Sequence, residues 1–216
     1  MKASRGCADP IKRPRDSRNS RNGLAAARQA RYIPAAVSQE PSAPMSPIIS
    51  VRAAAPGDLK AIIAMCDALN AHSGLPTGRL DPRRFRAALF GRNAFVFADI
   101  AEAMEPGEAR PSPAGYALSH DSFTTDHGER GMYLIDIYVE PAWRRAGVGR
   151  RLIAAVAARA RRRGATHLWW ASMPRNYQAR RFYAVLGASD EPLHSHALFG
   201  RAFERLAAAG ARRQKR

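Results

Sequence analysis

The chain has 216 residues, 46% of them apolar, which is enough for one domain with its own core, and it carries 35 Lys and Arg against 18 Asp and Glu, a formal charge of +17. Two cysteines, Cys7 in a polar stretch and Cys66 in an apolar one, exclude a disulfide framework and a cysteine-rich metal cluster. No apolar run is long enough to cross a membrane or to act as a secretory signal, so a reducing, cytoplasmic setting without membrane partners is expected.

The first 44 residues hold nine Lys or Arg against three Asp or Glu, and residues 1–45 read as a basic, disordered extension. Met45, directly before the first apolar run, is a candidate natural start. The folded domain is expected over 46–206, followed by a basic tail at 207–216.

Within it, Ile48 to Val51 reads as a strand, and Asp58 as the cap of a helix with Leu59, Ile62, Ile63, Cys66 and Leu69 on one face. Asp81-Pro82 starts a second helix. Strands follow at Asn93 to Ile100 and Gly115 to His120, separated by a Pro-, Glu- and Gly-rich loop from Glu102 to Pro113. The run MYLIDIYV, Met132 to Val139, is a central strand that Pro141 ends. Val148, Leu152, Val156 and Ala160 then recur every fourth residue, with arginines between them, until Gly164 stops the helix. A short strand from His167 to Ala171 breaks at Pro174. Asn176 caps a helix that runs to Gly187, and Leu193 to Phe199 reads as the last strand, with Phe203 and Leu206 tucking in behind it.

The turn between the central strand and the Val148 helix carries chemistry. Gly147-Val148-Gly149 lacks the third glycine of a dinucleotide fingerprint and the Lys-Ser/Thr ending of a Walker loop. What remains is a helix start with two glycines, whose exposed N–H groups form an anion site. A plain tight connection with a solvated basic face has the same local sequence.

Two motifs together narrow the reading. Arg144-Arg145-Ala146-Gly147-Val148-Gly149 and Asn176-Tyr177-Gln178-Ala179-Arg180-Arg181-Phe182-Tyr183-Ala184-Val185-Leu186-Gly187, in that order and each after a strand, resemble the GNAT-type N-acetyltransferase superfamily over Ile48 to Leu206. The resemblance implies an α/β (α+β) fold, with a mixed, mostly antiparallel central sheet flanked by helices and splayed at the acyl-CoA site. It implies acetyl-CoA as cosubstrate and a primary amine as acceptor. The strand residues Ile137, Tyr138 and Val139 would pair with the pantetheine arm. The turn from Arg144 through Arg145, Ala146, Gly147, Val148 and Gly149 to Arg150 would hold the pyrophosphate. Asn176 matches a residue that contacts the pantetheine or phosphate region, and Tyr183 matches the general acid that protonates the departing thiolate during direct attack.

An alkylamine with a pKa of about 10.4 is protonated at neutral pH, so a proton acceptor is needed. Asp136, embedded in LIDIYV, is the first candidate; Glu140, His120, Asp121 and His127 are the others. Within the superfamily the strand is similar to that of the diamine and thialysine acetyltransferase group, with Tyr133-Leu134-Ile135-Asp136 standing where that group has Tyr-Leu-Glu-Asp. The aspartate is kept and the glutamate is not, so polyamines, other small amines, amino acids and protein or ribosomal amines all remain open. Members of the superfamily are often dimers, so the resemblance admits a homodimer as one assembly and leaves the oligomeric state open. A reading of another class, a non-catalytic nucleic-acid-binding protein, rests on the basic tails, which would bind nucleic acid weakly and without sequence preference.

Overall fold

The structure is a computed structural model that describes residues 46–126 and 128–213. The elements in order are β1 (Ile48–Ala53), α1 (Leu59–His72), α2 (Pro82–Phe90), β2 (Phe97–Met104), β3 (Ser112–Thr124), β4 (Glu129–Val139), α3 (Val148–Arg162), β5 (His167–Trp169), α4 (Tyr177–Val185) and α5 (Gly200–Arg213). One five-stranded sheet has the order β1-β2-β3-β4-β5. Its first three pairings are antiparallel, and β4–β5 is parallel, as the α3 crossover between those strands requires.

Each face of the sheet has its own core. Val148, Leu152, Ile153, Val156 and Ala160 of α3 pack with Met132 and Leu134 on one face, joined by Phe182 and Tyr183 of α4 and by Leu186 just after it. Ile62, Met65 and Cys66 of α1 and Leu89 of α2 pack with Tyr116, Leu118 and Tyr138 on the other. Full burial of side chains such as Leu152 and Val156 contributes about 1.5–3 kcal/mol each, which is what seats α3 on the sheet. Partly buried Arg159 of α3 adds an ion pair to buried Asp99 of β2, at 2.6 Å.

Several expected boundaries move. β2 starts at Phe97 rather than Asn93 and runs to Met104, and β3 begins at Ser112, so the loop shrinks to 105–111. Ala101, Ala103 and Ala114 are buried there, and pairing overrides the polar composition. Asp58 does not cap α1 with its side chain. Its carboxylate accepts from the Ala55 N–H at 2.7 Å and pairs with Arg52, holding a short 3-10 turn before the helix. Asp81 does cap α2, accepting from Arg83 and Arg84. The expected last strand, Leu193 to Phe199, is not formed. Pro192 and the polar run beside it give no strand partner, and Leu193 and Phe199 stand 75% and 81% exposed. The chain continues instead as α5, through Ala207 to Arg213. No helix among the described residues is long and apolar enough to cross a membrane.

Candidate active site

β4 and β5 pair only from Gly131↔His167 to Tyr133↔Trp169. Beyond Tyr133 the two strands part, and the chemistry-bearing residues gather around that opening. A bulge lies at the same level. Ser119 pairs with Leu134 and Leu118 with Asp136, leaving Ile135 without an opposite residue. Side chains alternate along a strand, so the extra residue turns Asp136 and Tyr138 towards α1, away from the α3 face that Leu134 occupies.

Asp136 is therefore a partly buried carboxylate on the α1 face. It makes no hydrogen bond or ion pair among the described residues, and burial pushes its carboxyl above the usual carboxylate range. The other candidate proton acceptors are engaged elsewhere. Asp121 is paired with Arg163, whose guanidinium holds its carboxyl below the usual range. His120 directs Nδ1 at the Asp121 carbonyl, 2.7 Å away, and packs its ring on Tyr133. Glu140 accepts from the Tyr138 hydroxyl at 3.3 Å. His127 lies outside the described residues.

After β4, a 3-10 turn at Pro141–Trp143 leads into the glycine turn. Arg144 is drawn back onto the strand, its Nε donating to the Val139 carbonyl at 3.1 Å and its guanidinium lying 5.9 Å from the Tyr138 ring centre. Arg145 has φ +70° and Gly147 φ +83°, so the turn bends through two left-handed residues before α3 begins at Val148. Among the described residues, the N–H groups of Arg145, Ala146, Gly147, Val148, Gly149 and Arg150 are bonded to no backbone carbonyl. They form an N–H cradle at a helix start, with exposed Arg145 and Arg150 beside it. Gly149 has a separate reason to be small: a Cβ there would stand 3.2 Å from Cζ of Phe182, so α3's first turn is seated directly on α4.

Arg145 is the one non-glycine residue with positive φ among those described. The left-handed conformation costs a residue with a Cβ about 1–2 kcal/mol, partly offset by the greater unfolded-state entropy of glycine. Arg145→Gly is expected to raise stability by about 0.5–1 kcal/mol. The check is a higher urea midpoint at unchanged slope; an unmoved midpoint would mean that the turn carries no strain.

Asn176 caps α4, its Oδ1 accepting from the Ala179 N–H at 3.1 Å. Tyr183 stands on that helix on the α3 side of the sheet, edge-on to Trp170 with ring centres 5.1 Å apart and 5.4 Å from the Phe182 ring. Burial raises its phenol above the usual tyrosine value. Tyr183 also lines an open groove along β5 with Trp170, Ala171 and Pro174. Tyr183 and Asp136 thus flank the strand opening from opposite faces of the sheet.

Two features escaped sequence reasoning. Tyr116 is fully buried behind Asp136, and only register reveals that closeness. His120, Tyr133 and Trp169 form a cross-strand row of rings, with centres 5.3 and 4.5 Å apart, ending at the exposed Trp169. Their spacing in sequence gives no sign of it.

Comparison with known proteins bears on this arrangement. The profile of the Acetyltransferase (GNAT) family matches residues 64–188. A thialysine N-epsilon-acetyltransferase of Bos taurus is 33% identical over 166 residues, spanning 74% of this chain and 97% of that protein. An L-ornithine N5-acetyltransferase of Arabidopsis thaliana is 32% identical over 75 residues, 35% of this chain and 33% of that protein. Among solved structures, an aminoglycoside acetyltransferase from a soil metagenomic sample, in complex with sisomicin, superposes with a TM-score of 0.57 at 16% identity, covering 70% of this chain and 97% of its own. At that identity it speaks for the fold alone.

Proposed function

The chain belongs to the GNAT acetyltransferase family and is an acyltransferase, and from that premise we propose that it moves an acetyl group from acetyl-CoA to a primary amine of a small molecule. The observation that carries the proposal is the strand opening after Tyr133, with the unbonded N–H groups of Arg145 to Arg150 at its end. Free main-chain N–H groups at a helix start, in a basic setting, fit a pyrophosphate, and the freed edge of Ile137, Tyr138 and Val139 fits an amide-bearing arm. Acetyl-CoA, when bound, supplies the thioester-activated acetyl group.

The remaining roles fall to this chain's side chains. The amine nitrogen forms its bond to the acetyl carbon as the carbon–sulfur bond breaks. We assign Asp136 to accept the proton the amine gives up, at a carboxylate oxygen whose proton affinity burial raises. We assign Tyr183 to hold, on its phenol oxygen, the proton that passes to the departing sulfur. A phenol whose pKa burial has raised stays protonated throughout the neutral range, so transfer accompanies thiolate formation. Asn176, as the α4 cap, sets the helix that carries Tyr183. Similarity to thialysine acetyltransferases favours a small acceptor, and Ile135 removes one carboxylate that would draw a polycation.

Calorimetric titration with acetyl-CoA, with ATP as the control at two salt concentrations, tests the cofactor assignment. A thiol-release screen over thialysine, L-ornithine and polyamines then tests the acceptor. Saturable binding selective for acetyl-CoA, with turnover of at least one amine, is the expected result. Equal binding of any polyphosphate, lost in salt, would remove the assignment and leave a basic anion-binding surface.

Gly149→Leu is expected to weaken acetyl-CoA affinity by about tenfold or more, a cost of about 1.4 kcal/mol. The added side chain must displace Phe182, and with it α4, from the cradle. An unchanged dissociation constant would show that the α3–α4 contact does not shape the site.

A further inference from the structure

The layer between α1 and the sheet holds a tyrosine that the proposed chemistry has not used. Tyr116 is 0% exposed, and among the described residues its hydroxyl meets no nitrogen or oxygen partner; its polar neighbour is the Cys66 thiol, which is not in hydrogen-bonding geometry with it. Buried hydroxyls without partners are costly and uncommon, so such a group calls for an explanation. Register supplies one. Tyr116 lies opposite Tyr138 and Leu118 opposite Asp136, so Tyr116 and Asp136 are diagonal neighbours across β3 and β4. The bulge at Ile135 puts both on the α1 face. Diagonal neighbours stand about 7–8 Å apart at the backbone, within reach of a side chain as long as tyrosine. The two groups also sense each other: ionised Asp136 opposes ionisation of the Tyr116 phenol.

The surroundings decide what that pairing does. On the face of Asp136 stand Tyr116 and His120 from β3, Cys66 from α1 with Asp67 next to it, and Tyr133, Tyr138 and Glu140 from β4; β5 has already parted from β4. None of these is a fixed cation. Arg144, next along the chain, is turned to the Val139 carbonyl. Burial pushes the Cys66 thiol up to about 11, so beside the Tyr116 hydroxyl it stays neutral, a weak donor and a weak acceptor that competes poorly with a carboxylate for the phenol proton. The Tyr116 hydroxyl is therefore the strong neutral donor available to the carboxylate from the buried side.

We propose that Tyr116 is a positioning residue for Asp136: its phenol donates a hydrogen bond to the ionised carboxylate, fixing its orientation and favouring the form that accepts the amine proton. The proposal rests on the reading of Asp136 as that acceptor. It also gives a reason why a strand with Ile135 in place of a second carboxylate can keep a working base.

The test is the pH dependence of kcat, at saturating acetyl-CoA and amine, for the full chain, Tyr116→Phe and Asp136→Asn, with thermal melts alongside. Tyr116→Phe keeps the ring and removes only the donor, so its acidic limb is expected to move up by about one pH unit, with rates recovering above it. Asp136→Asn is expected to abolish that limb. A limb that stays in place in Tyr116→Phe but vanishes in Asp136→Asn overturns the proposal and leaves Asp136 as the base. A limb unmoved in Asp136→Asn overturns the base assignment, and this proposal with it. Should Tyr116→Phe fail to fold, 3-fluorotyrosine at position 116, a stronger donor of nearly the same shape, decides the matter: the limb moves down if Tyr116 donates to Asp136 and stays in place if it only fills space.

Discussion

Tyr183→Phe is expected to lower kcat by about 10²-fold, within the range for loss of a positioned general acid, while acetyl-CoA affinity stays within about twofold. The asymmetry follows from where the side chain sits. The phenylalanine ring keeps the edge contact with Trp170 and the contact with Phe182, so α4 and the helix start it supports remain in place. Only the hydroxyl proton is lost, the one the proposal passes to the departing sulfur as the carbon–sulfur bond breaks. Measuring kcat beside a calorimetric dissociation constant separates the two effects. Unchanged turnover in a folded Tyr183→Phe protein would remove the acid assignment and leave Tyr183 as a packing residue.

Asp136→Asn carries the other large effect, a fall in kcat of about 10²–10⁴-fold at neutral pH. With Asp136 as the proposed base, the wild-type rate is expected to fall as pH drops through the Asp136 pKa, because only the carboxylate accepts a proton, and burial moves that pKa up from its ordinary position. Stability should respond in the opposite sense. A carboxyl whose folded pKa is raised binds its proton more tightly in the folded than in the unfolded state, so stability from this group is lost as pH rises through the folded pKa. The amide cannot ionise, and at neutral pH the variant is expected to melt no lower than wild type. A large loss of activity together with an undiminished melting temperature marks a chemical role. A parallel loss of both would mark a structural one.

Much of the fold was legible because it follows from local periodicity. The spacing of Val148, Leu152, Val156 and Ala160 marked the buried stripe of α3, and all four are buried. Gly164 and Gly187, at φ +77° and +84°, stop their helices as expected. Asn176 and Asp81 cap theirs. These features depend on a few neighbouring residues and on backbone sterics. Strand ends were less legible, since β2 and β3 extend wherever each finds the other. The segment from Leu193 to Phe199, apolar enough to suggest a strand, forms none where no described strand pairs with it.

The candidate site divides along the same line. From the sequence came the glycine turn and Asp136 as an unusual carboxylate in an apolar run, both properties of residue type and spacing, while the second motif with Tyr183 came through its resemblance to the superfamily. The tertiary structure decided which way the residues face. One unpaired residue, Ile135, reverses the alternation of β4, turning Asp136 from the α3 side to the α1 side and bringing it diagonal to Tyr116. Arg145 takes a left-handed conformation that its identity disfavours, and Arg144 folds back onto the strand rather than adding charge to the cradle. A strand's two-residue period can be read from sequence. Its phase after a bulge cannot, because the phase is set by pairing with a strand elsewhere in the chain.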